Sequence, residues 1–100
     1  MVNDNMTIEI AKQDDNNGAV FYGMLTDTCG HSPIKFRFKV EADEEEDGNW
    51  TILSIETLDS MCREQVDYLA SKSTMDAISQ EIENMVFQNR VKWARAYQTR

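Results

Sequence analysis

Cys29 and His31, separated by Gly30, form the short motif of this chain that is most capable of chemistry. A cysteine beside a histidine can act as a nucleophile with its base, and the same two side chains can bind a metal ion. A cysteine hydrolase also needs an orienting third group and an oxyanion hole, and no motif in the sequence supplies them. A structural zinc site needs about four nitrogen or sulfur ligands, whereas only Cys62 could join the pair. We therefore expect an ordinary loop here, with no catalytic residue and no metal ligand.

The acidic segment 43–47 is the second candidate, because carboxylates attract Ca²⁺ and Mg²⁺. A calcium loop places its ligands at alternating positions around a central glycine, whereas here Gly48 follows the acids. The four glycines of the chain are scattered and form no phosphate-binding loop. Cys62 falls at helical spacing among apolar residues, which favours a small buried core residue. The sequence thus predicts a protein that is not an enzyme and has no cofactor.

Length and composition favour a single domain over residues 1–100. An apolar fraction of 41% is too high for a disordered chain, and no apolar run approaches the roughly 20 residues that span a bilayer. The leader, residues 1–5, has neither the basic start nor the apolar stretch of a signal peptide. Two cysteines are too few for a disulfide framework. We expect a cytoplasmic protein with free thiols and no membrane partner.

The formal net charge of −8 restricts the classes of partner further. An acidic chain repels phosphate backbones, which argues against direct binding to nucleic acid. The same electrostatic field attracts basic protein surfaces. An alternative is that the excess acid only keeps a small protein in solution.

Apolar and charged residues alternate without interruption over residues 33–41, as in a strand with one buried and one exposed face. Three further runs resemble strands: 6–11, 19–25 and 50–57. In the last of these the apolar parity changes between Ile52 and Leu53, which indicates a bulge. The connectors are short enough for antiparallel neighbours, so the simplest sheet over residues 6–57 is a four-stranded meander.

Residues 59–99 are predicted to be helical. The first helix is expected to run from a cap at Asp59 or Ser60 to about Ala70. Its apolar residues recur at helical spacing: Leu58, Cys62, Val66 and Leu69. A break at 71–74 follows, and the sequence leaves open whether it separates two helices or bends one.

The second helix is expected to begin near Ser73, which with Asp76 forms an acidic variant of a capping box. Its apolar row is long: Met75, Ile78, Ile82, Met85, Val86, Asn89 and Trp93. Arg90, Lys92 and Arg95 come late, where cations complement the helix dipole.

The predicted architecture is therefore α+β, a meander followed by two C-terminal helices packed on one sheet face. Four residues of the third strand should point toward the helices: Ile34, Phe36, Phe38 and Val40. Its three cations should point away: Lys35, Arg37 and Lys39. If Phe21 and Leu25 also face the helices, Tyr22 and Met24 lie on the open face, and the opposite orientation exposes Phe21 and Leu25 instead. Exposed apolar surface of that kind often marks a contact site.

A meander also places the first and third connectors at the same end of the sheet. The acidic rim is our name for the carboxylates expected to meet there: Asp14, Asp15, Asp43, Glu44, Glu45, Glu46 and Asp47. Such a rim is complementary to a cationic groove, including a groove built to hold DNA or RNA.

The sequence therefore favours a small acidic binding module that inhibits a protein with a basic surface by occupying its nucleic-acid groove. Phage antagonists of restriction or CRISPR systems are similar to it in size and charge, although no motif identifies a family. The alternative is a homodimeric accessory or structural protein that uses the open sheet face as its interface. An adaptor or an immunity protein is a further alternative.

Overall fold

The computed structural model describes residues 5–98 except 29 and 31, with side chains as far as residue 92. The elements follow in this order: β1 Met6–Gln13, β2 Val20–Asp27, β3 Ile34–Glu44, β4 Trp50–Thr57, α1 Arg63–Ala70 and α2 Lys72–Gln98. Most of the expected leader, with Cys29 and His31, lies outside the described residues. Asn5 is described, and its carbonyl oxygen accepts hydrogen bonds from the amide and hydroxyl of Thr28, at 2.8 and 3.0 Å.

The four strands pair antiparallel in the order β1-β2-β3-β4, which confirms the predicted meander and the α+β class. The predicted bulge is also present. Glu41 lies opposite Ser54 and Ala42 opposite Ile52, so Leu53 is the extra residue of β4. A second bulge, at Ala11 of β1, was not predicted, because a single small residue hardly changes the apolar pattern of that strand.

The core lies between one face of the sheet and the two helices. Phe38 and Val40 of β3 are fully buried there, as predicted. Phe21 and Leu25 of β2 are fully buried with them, which decides between the two orientations that the sequence left open for β2. Fully burying a large apolar side chain stabilises the fold by about 1.5–3 kcal/mol. The ring of Phe21 also packs edge-on against Trp50, with 5.3 Å between the ring centroids.

Ile34 was expected in this core but is 56% exposed. Its parity is right, since it shares a face with the half-buried Phe36 and with Phe38. Ile34 is exposed because of its position along the strand. Since β4 ends opposite Phe38, the first residues of β3 are paired only with β2. Parity predicts the direction of a side chain, whereas burial also requires a neighbouring element to reach it.

Helix α1 begins at Arg63, later than predicted, and the expected apolar row is wrong. Cys62 is the N-cap residue and is exposed rather than buried, and Leu58 and Val66 are 40% and 41% exposed. Of that row only Leu69 is buried, and Gln65 shares its buried face. The helix starts late because the segment after β4 first runs beside β3, where the amide of Leu58 donates to the carbonyl of Arg37 at 2.9 Å.

Helix α2 begins at Lys72, so the break is a true turn between two helices. The residue that caps α2 is Ser71 rather than the predicted Ser73. The Ser71 hydroxyl accepts the amide of Thr74 at 3.3 Å, and the amide of Met75 donates to its carbonyl at 3.0 Å. The same hydroxyl is 2.8 Å from the carbonyl of Tyr68, so one side chain joins the end of α1 to the start of α2.

The apolar row of α2 is confirmed at its centre. Ile78 and Ile82 are fully buried and Val86 is 7% exposed. Met75 and Met85 are half-buried, and Asn89 is exposed because α2 there passes the end of the sheet. The side chain of Trp93 lies outside the described part of the chain. Ser79 fixes the helix to β4 by a short hydrogen bond from its hydroxyl to the carbonyl of Trp50.

Candidate functional site

The two hairpins that carry the acidic rim lie at the same end of the sheet, as the meander requires. A cleft of about 440 Å³ beneath α2 connects them. Gly18 lines it from the first hairpin, and Glu44 and Trp50 line it from the second. Gln13 of β1 and three residues of α2 complete its lining: Val86, Asn89 and Arg90. The two hairpins that carry the acidic rim therefore lie side by side at this end of the molecule, with α2 next to them.

In the first hairpin, Asp14 is held by local hydrogen bonds while Asp15 is exposed. Asp14 Oδ2 accepts the amide of Asn16 at 3.0 Å, and Asp14 Oδ1 accepts the Tyr22 hydroxyl at 3.1 Å. The bond to Asp14 raises the pKa of Tyr22, with burial and the negative charge as smaller causes. Lys12 Nζ lies 5.5 Å from the centre of the Tyr22 ring, within the range of a cation–π contact.

In the second hairpin, Asp43 and Glu44 belong to β3, opposite Thr51 and Trp50, rather than to the connector. Strand pairing is made by backbone hydrogen bonds, so exposed acidic side chains do not end a strand. The turn proper spans 45–49. Its Gly48 has φ +87°, a conformation that glycine adopts without steric cost.

The turn acids are bonded to uncharged donors. Glu45 Oε1 accepts the Thr51 hydroxyl at 2.9 Å. Asp47 accepts both the amide of Asn49, at 3.1 Å, and its side-chain amide, at 2.8 Å. Glu46 is exposed at the tip. These bonds shape the turn, and no cation among the described side chains forms an ion pair with the turn acids.

Glu44 differs from the other members of the rim, because Arg90 of α2 donates to its Oε1 at 2.9 Å. This contact raises the pKa of Arg90 through the hydrogen bond and the opposite charge. Among the described side chains, Glu44 is the member of the acidic rim that forms an ion pair. The late position of Arg90 suggested an interaction with the helix dipole, but α2 continues two turns beyond it. A better signal in the sequence was its spacing, one turn after the buried Val86.

Tyr22 and Met24 lie on the open face of the sheet, where both are half-buried. They line a shallow groove of about 380 Å³ together with Lys12, Arg37 and Leu58. Asp14 also borders this groove and is the residue that links it to the acidic rim. Tyr22 and Met24 thus form a second surface, adjacent to the rim rather than part of it.

The three cations of β3, Lys35, Arg37 and Lys39, alternate with its buried residues and therefore lie on the open face, as predicted, but acidic residues lie among them. Arg37 is bound by Asp59, whose oxygens accept its backbone amide at 2.8 Å and its guanidinium at 3.0 and 2.8 Å. These bonds lower the pKa of Asp59 to about 2. Lys39 lies opposite Glu56 on β4, and Glu9 lies opposite Met24 on β1. The face therefore carries mixed charge.

The described part of the chain contains no group of three or more side chains placed to hold a metal ion. In this part of the chain the shifted pKa values belong to Tyr22, Arg37, Asp59 and Arg90, and a hydrogen-bonded partner is the main cause of each shift. With Cys29 and His31 outside the described residues, the absence of catalysis stays a prediction. No helix in the described residues is both long and apolar enough to cross a bilayer.

Comparison of the chain with models of protein families, with curated proteins and with solved structures found no significant match.

Proposed function

We propose that the protein is a non-enzymatic binding module that presents its acidic rim to a basic surface of another cytoplasmic protein. The partner class is a protein whose groove normally holds DNA or RNA. The chain would inhibit that protein by occupying the groove with carboxylates in place of phosphates. Direct binding to nucleic acid is not part of this function, because the net charge of −8 repels phosphate.

One observation carries the proposal. The exposed carboxylates of Asp43, Glu45, Glu46 and Asp47 lie on one hairpin, and none forms an ion pair with a cation among the described side chains. Asp15 adds a further exposed charge from the neighbouring hairpin. Like charges held together cost free energy in the isolated protein, and a cationic partner would relieve that repulsion.

The shape of the rim also supports docking. Both hairpins are anchored to the sheet by regular antiparallel pairing, and the second is closed by the amide of Glu45 donating to the carbonyl of Asn49 at 2.7 Å. A charged surface that is already ordered loses less conformational entropy on binding than a flexible loop.

The alternative, a homodimer through the open sheet face, has weaker support. In the groove on that face, Tyr22 and Met24 are flanked by Leu58, with the charged Lys12, Asp14 and Arg37 among them. Tyr22 is already bonded to Asp14 and covered by Lys12. A self-associating face needs a larger uninterrupted apolar patch or strong charge complementarity.

Affinity capture from a lysate of the natural source tests the proposal. A rim variant would replace the exposed carboxylates with amides: Asp15→Asn, Asp43→Asn, Glu45→Gln, Glu46→Gln and Asp47→Asn. An amide oxygen at position 45 can still accept the Thr51 hydroxyl, and one at position 47 can still accept the backbone amide of Asn49. Only the side-chain bond from Asn49 to the second oxygen of Asp47 is lost, so the fold should be retained. A partner captured by the native chain should be absent from the rim variant.

A matched control variant removes the same amount of charge elsewhere on the surface: Glu9→Gln, Glu56→Gln, Asp67→Asn, Asp76→Asn and Glu81→Gln. This control should retain the partner. Equal loss of the partner from both variants would show that total charge, and not the acidic rim, decides binding. The captured partner should also release bound DNA or RNA when the native chain is added.

A further inference from the structure

The first hairpin contains the dipeptide Asn17-Gly18, and Asn17 is the one asparagine of the chain that a glycine follows. An asparagine side chain loses ammonia when the main-chain nitrogen of the next residue attacks its Cγ atom. Glycine allows this attack best, because it has no Cβ atom to obstruct the approach and its backbone rotates most freely. Both residues are exposed, so water reaches them. Asn17 is therefore the candidate for a spontaneous covalent change.

The turn holds the Asn17 side chain against the peptide group that would attack it. Its Oδ1 atom accepts the amide of Ala19 at 3.0 Å, and its carbonyl accepts the amide of Val20 at 3.1 Å. The first of these bonds folds the side chain back over the Gly18 peptide. Negative charge develops on Oδ1 as Cγ is attacked, and an amide donor at the distance of Ala19 stabilises such a charge.

The amide nitrogen of Gly18 is open to react. No hydrogen bond among the described residues uses its N–H group. The attack needs this nitrogen without its proton, and an N–H group bonded to a carbonyl gives up its proton less readily. The Gly18 carbonyl accepts the side-chain amide of Gln13 at 2.7 Å, which holds the residue in place without engaging its nitrogen.

The second hairpin offers a comparison, because Asp47-Gly48 could form the same cyclic product. There the amide of Gly48 donates to the carbonyl of Glu45 at 3.0 Å. Both side-chain oxygens of Asp47 are also engaged, one by the backbone amide of Asn49 and one by its side chain. A carboxylate is moreover a poorer target for a nucleophile than an amide. The reaction is therefore expected at Asn17 and not at Asp47.

We propose that Asn17 deamidates spontaneously and adds a carboxylate to the acidic rim. The Gly18 nitrogen gives its proton to solvent and bonds to Asn17 Cγ, and the bond from Cγ to Nδ2 breaks with release of ammonia. Water then opens the cyclic imide at one of its two carbonyl carbons, which leaves aspartate or isoaspartate at position 17. The sum is one water consumed and one ammonia released, with no oxidation or reduction.

The product enlarges the acidic rim by one negative charge. Position 17 shares its hairpin with Asp15, and the adjacent Gly18 lines the cleft that connects this hairpin to the second one. The charge of the rim therefore increases as the protein ages. The reaction is a property of the hairpin itself, so the inference does not rest on the function proposed above.

Incubation of the purified native chain in neutral buffer, sampled by ion-exchange chromatography, tests the proposal. A more acidic species should accumulate, and peptide mapping should locate the lost amide at Asn17. Gly18→Ala should slow the reaction about tenfold, because the methyl group hinders the attack. This variant should fold, since Gly18 has no positive φ and a Cβ atom there meets the side chain of Gln13 at an ordinary 3.4 Å.

Two further single variants supply the controls. Asn17→Gln should abolish the acidic species, because the longer side chain has to close a larger ring, which forms more slowly. Asn16→Gln removes an asparagine of the same turn that no glycine follows, so it should leave the rate unchanged. An acidic species that forms as fast in Asn17→Gln or in Gly18→Ala as in the native chain would overturn the proposal.

Two other results would also overturn it. The first is isoaspartate that appears at Asp47 before position 17 changes. The second is a native chain that keeps its Asn17 amide while a peptide of residues 13–22 loses it under the same conditions, since the fold would then protect the site.

Discussion

The ring of Phe38 lies over the Cα atom of Gly23, the residue directly opposite it on β2. A Cβ atom at Gly23 would come within 3.0 Å of three atoms of that ring. Gly23 therefore provides the space that the fully buried Phe38 fills, on the sheet face that the helices cover. A glycine inside a strand commonly marks such a close approach.

The Gly23→Ala variant should be destabilised by about 1–3 kcal/mol, because the added methyl overpacks the core. Chemical denaturation would measure this loss. Gly30→Ala is the matched control, since nothing lies within 4 Å of a Cβ at Gly30, and its effect should be small. Phe38→Leu should partly relieve the clash, so the double variant should be more stable than the sum of the single changes implies.

The Arg37–Asp59 contact predicts a pH dependence of stability. Since the bonds from Arg37 lower the pKa of Asp59 from 3.8 to about 2, the carboxylate stabilises the fold above pH 3.8. That contribution should be lost as the pH falls through about 2. An NMR titration of the Asp59 carboxyl should give the low midpoint, and Arg37→Met should return it toward 3.8. An unchanged midpoint in that variant would contradict the assigned cause.

The Ser71→Ala variant should lose about 1 kcal/mol of stability, the usual effect of removing an N-cap side chain. Ser73→Ala tests the cap that the sequence suggested, and we expect a change within about 0.5 kcal/mol. Thermal denaturation of the two variants would decide between the caps. A larger loss for Ser73→Ala would contradict the structure at this turn.

The Cys62→Ser variant should be as stable as the native protein, or more stable by up to about 1 kcal/mol. Cys62 is an exposed N-cap residue, and serine is among the preferred N-cap residues. If Cys62 instead filled the core, the added polar group and the altered packing would destabilise the fold. Urea denaturation of the variant separates the two cases, and a loss above about 2 kcal/mol would favour burial.

Alternation in the strands predicted most of this fold. A strand with one buried face needs a period of two, and Phe36, Phe38 and Val40 obey it while charges occupy the other positions. The bulge at Leu53 could be predicted for the same reason, because an inserted residue reverses the parity of all that follow. The local alternation of apolar and polar residues is therefore enough to predict a strand whose conformation is fixed by pairing with its neighbours.

The helix starts could not be predicted in the same way, because tertiary contacts decide them. Asp59 is a good capping residue by type, yet Arg37, 22 residues away in sequence, engages its carboxylate. With that segment held beside β3, the helical phase is set by Cys62 and places Gln65, rather than Val66, on the buried face. The periodicity of apolar residues reports only local structure, so it cannot predict a contact between residues this far apart in sequence.

The position of the acidic rim could be predicted from the sequence, but the pairing of one of its carboxylates with a cation could not. Hairpin connectivity places its two parts at one end of the sheet, and the structure has them there. That Arg90 neutralises Glu44 depends on where α2 crosses the hairpins, which the helix pattern alone does not specify. Tyr22 and Met24 belong to the open face, and a hydrogen bond from Tyr22 to Asp14 joins that face to the rim.

The salt dependence of affinity for the captured partner is the most direct test of the acidic rim. Calorimetric titrations at several salt concentrations should show the native affinity falling steeply as salt screens the charges. The rim variant should bind more weakly and lose most of that slope, whereas the control variant with the same net charge should keep it. An equal slope for the native chain and the rim variant would contradict the account.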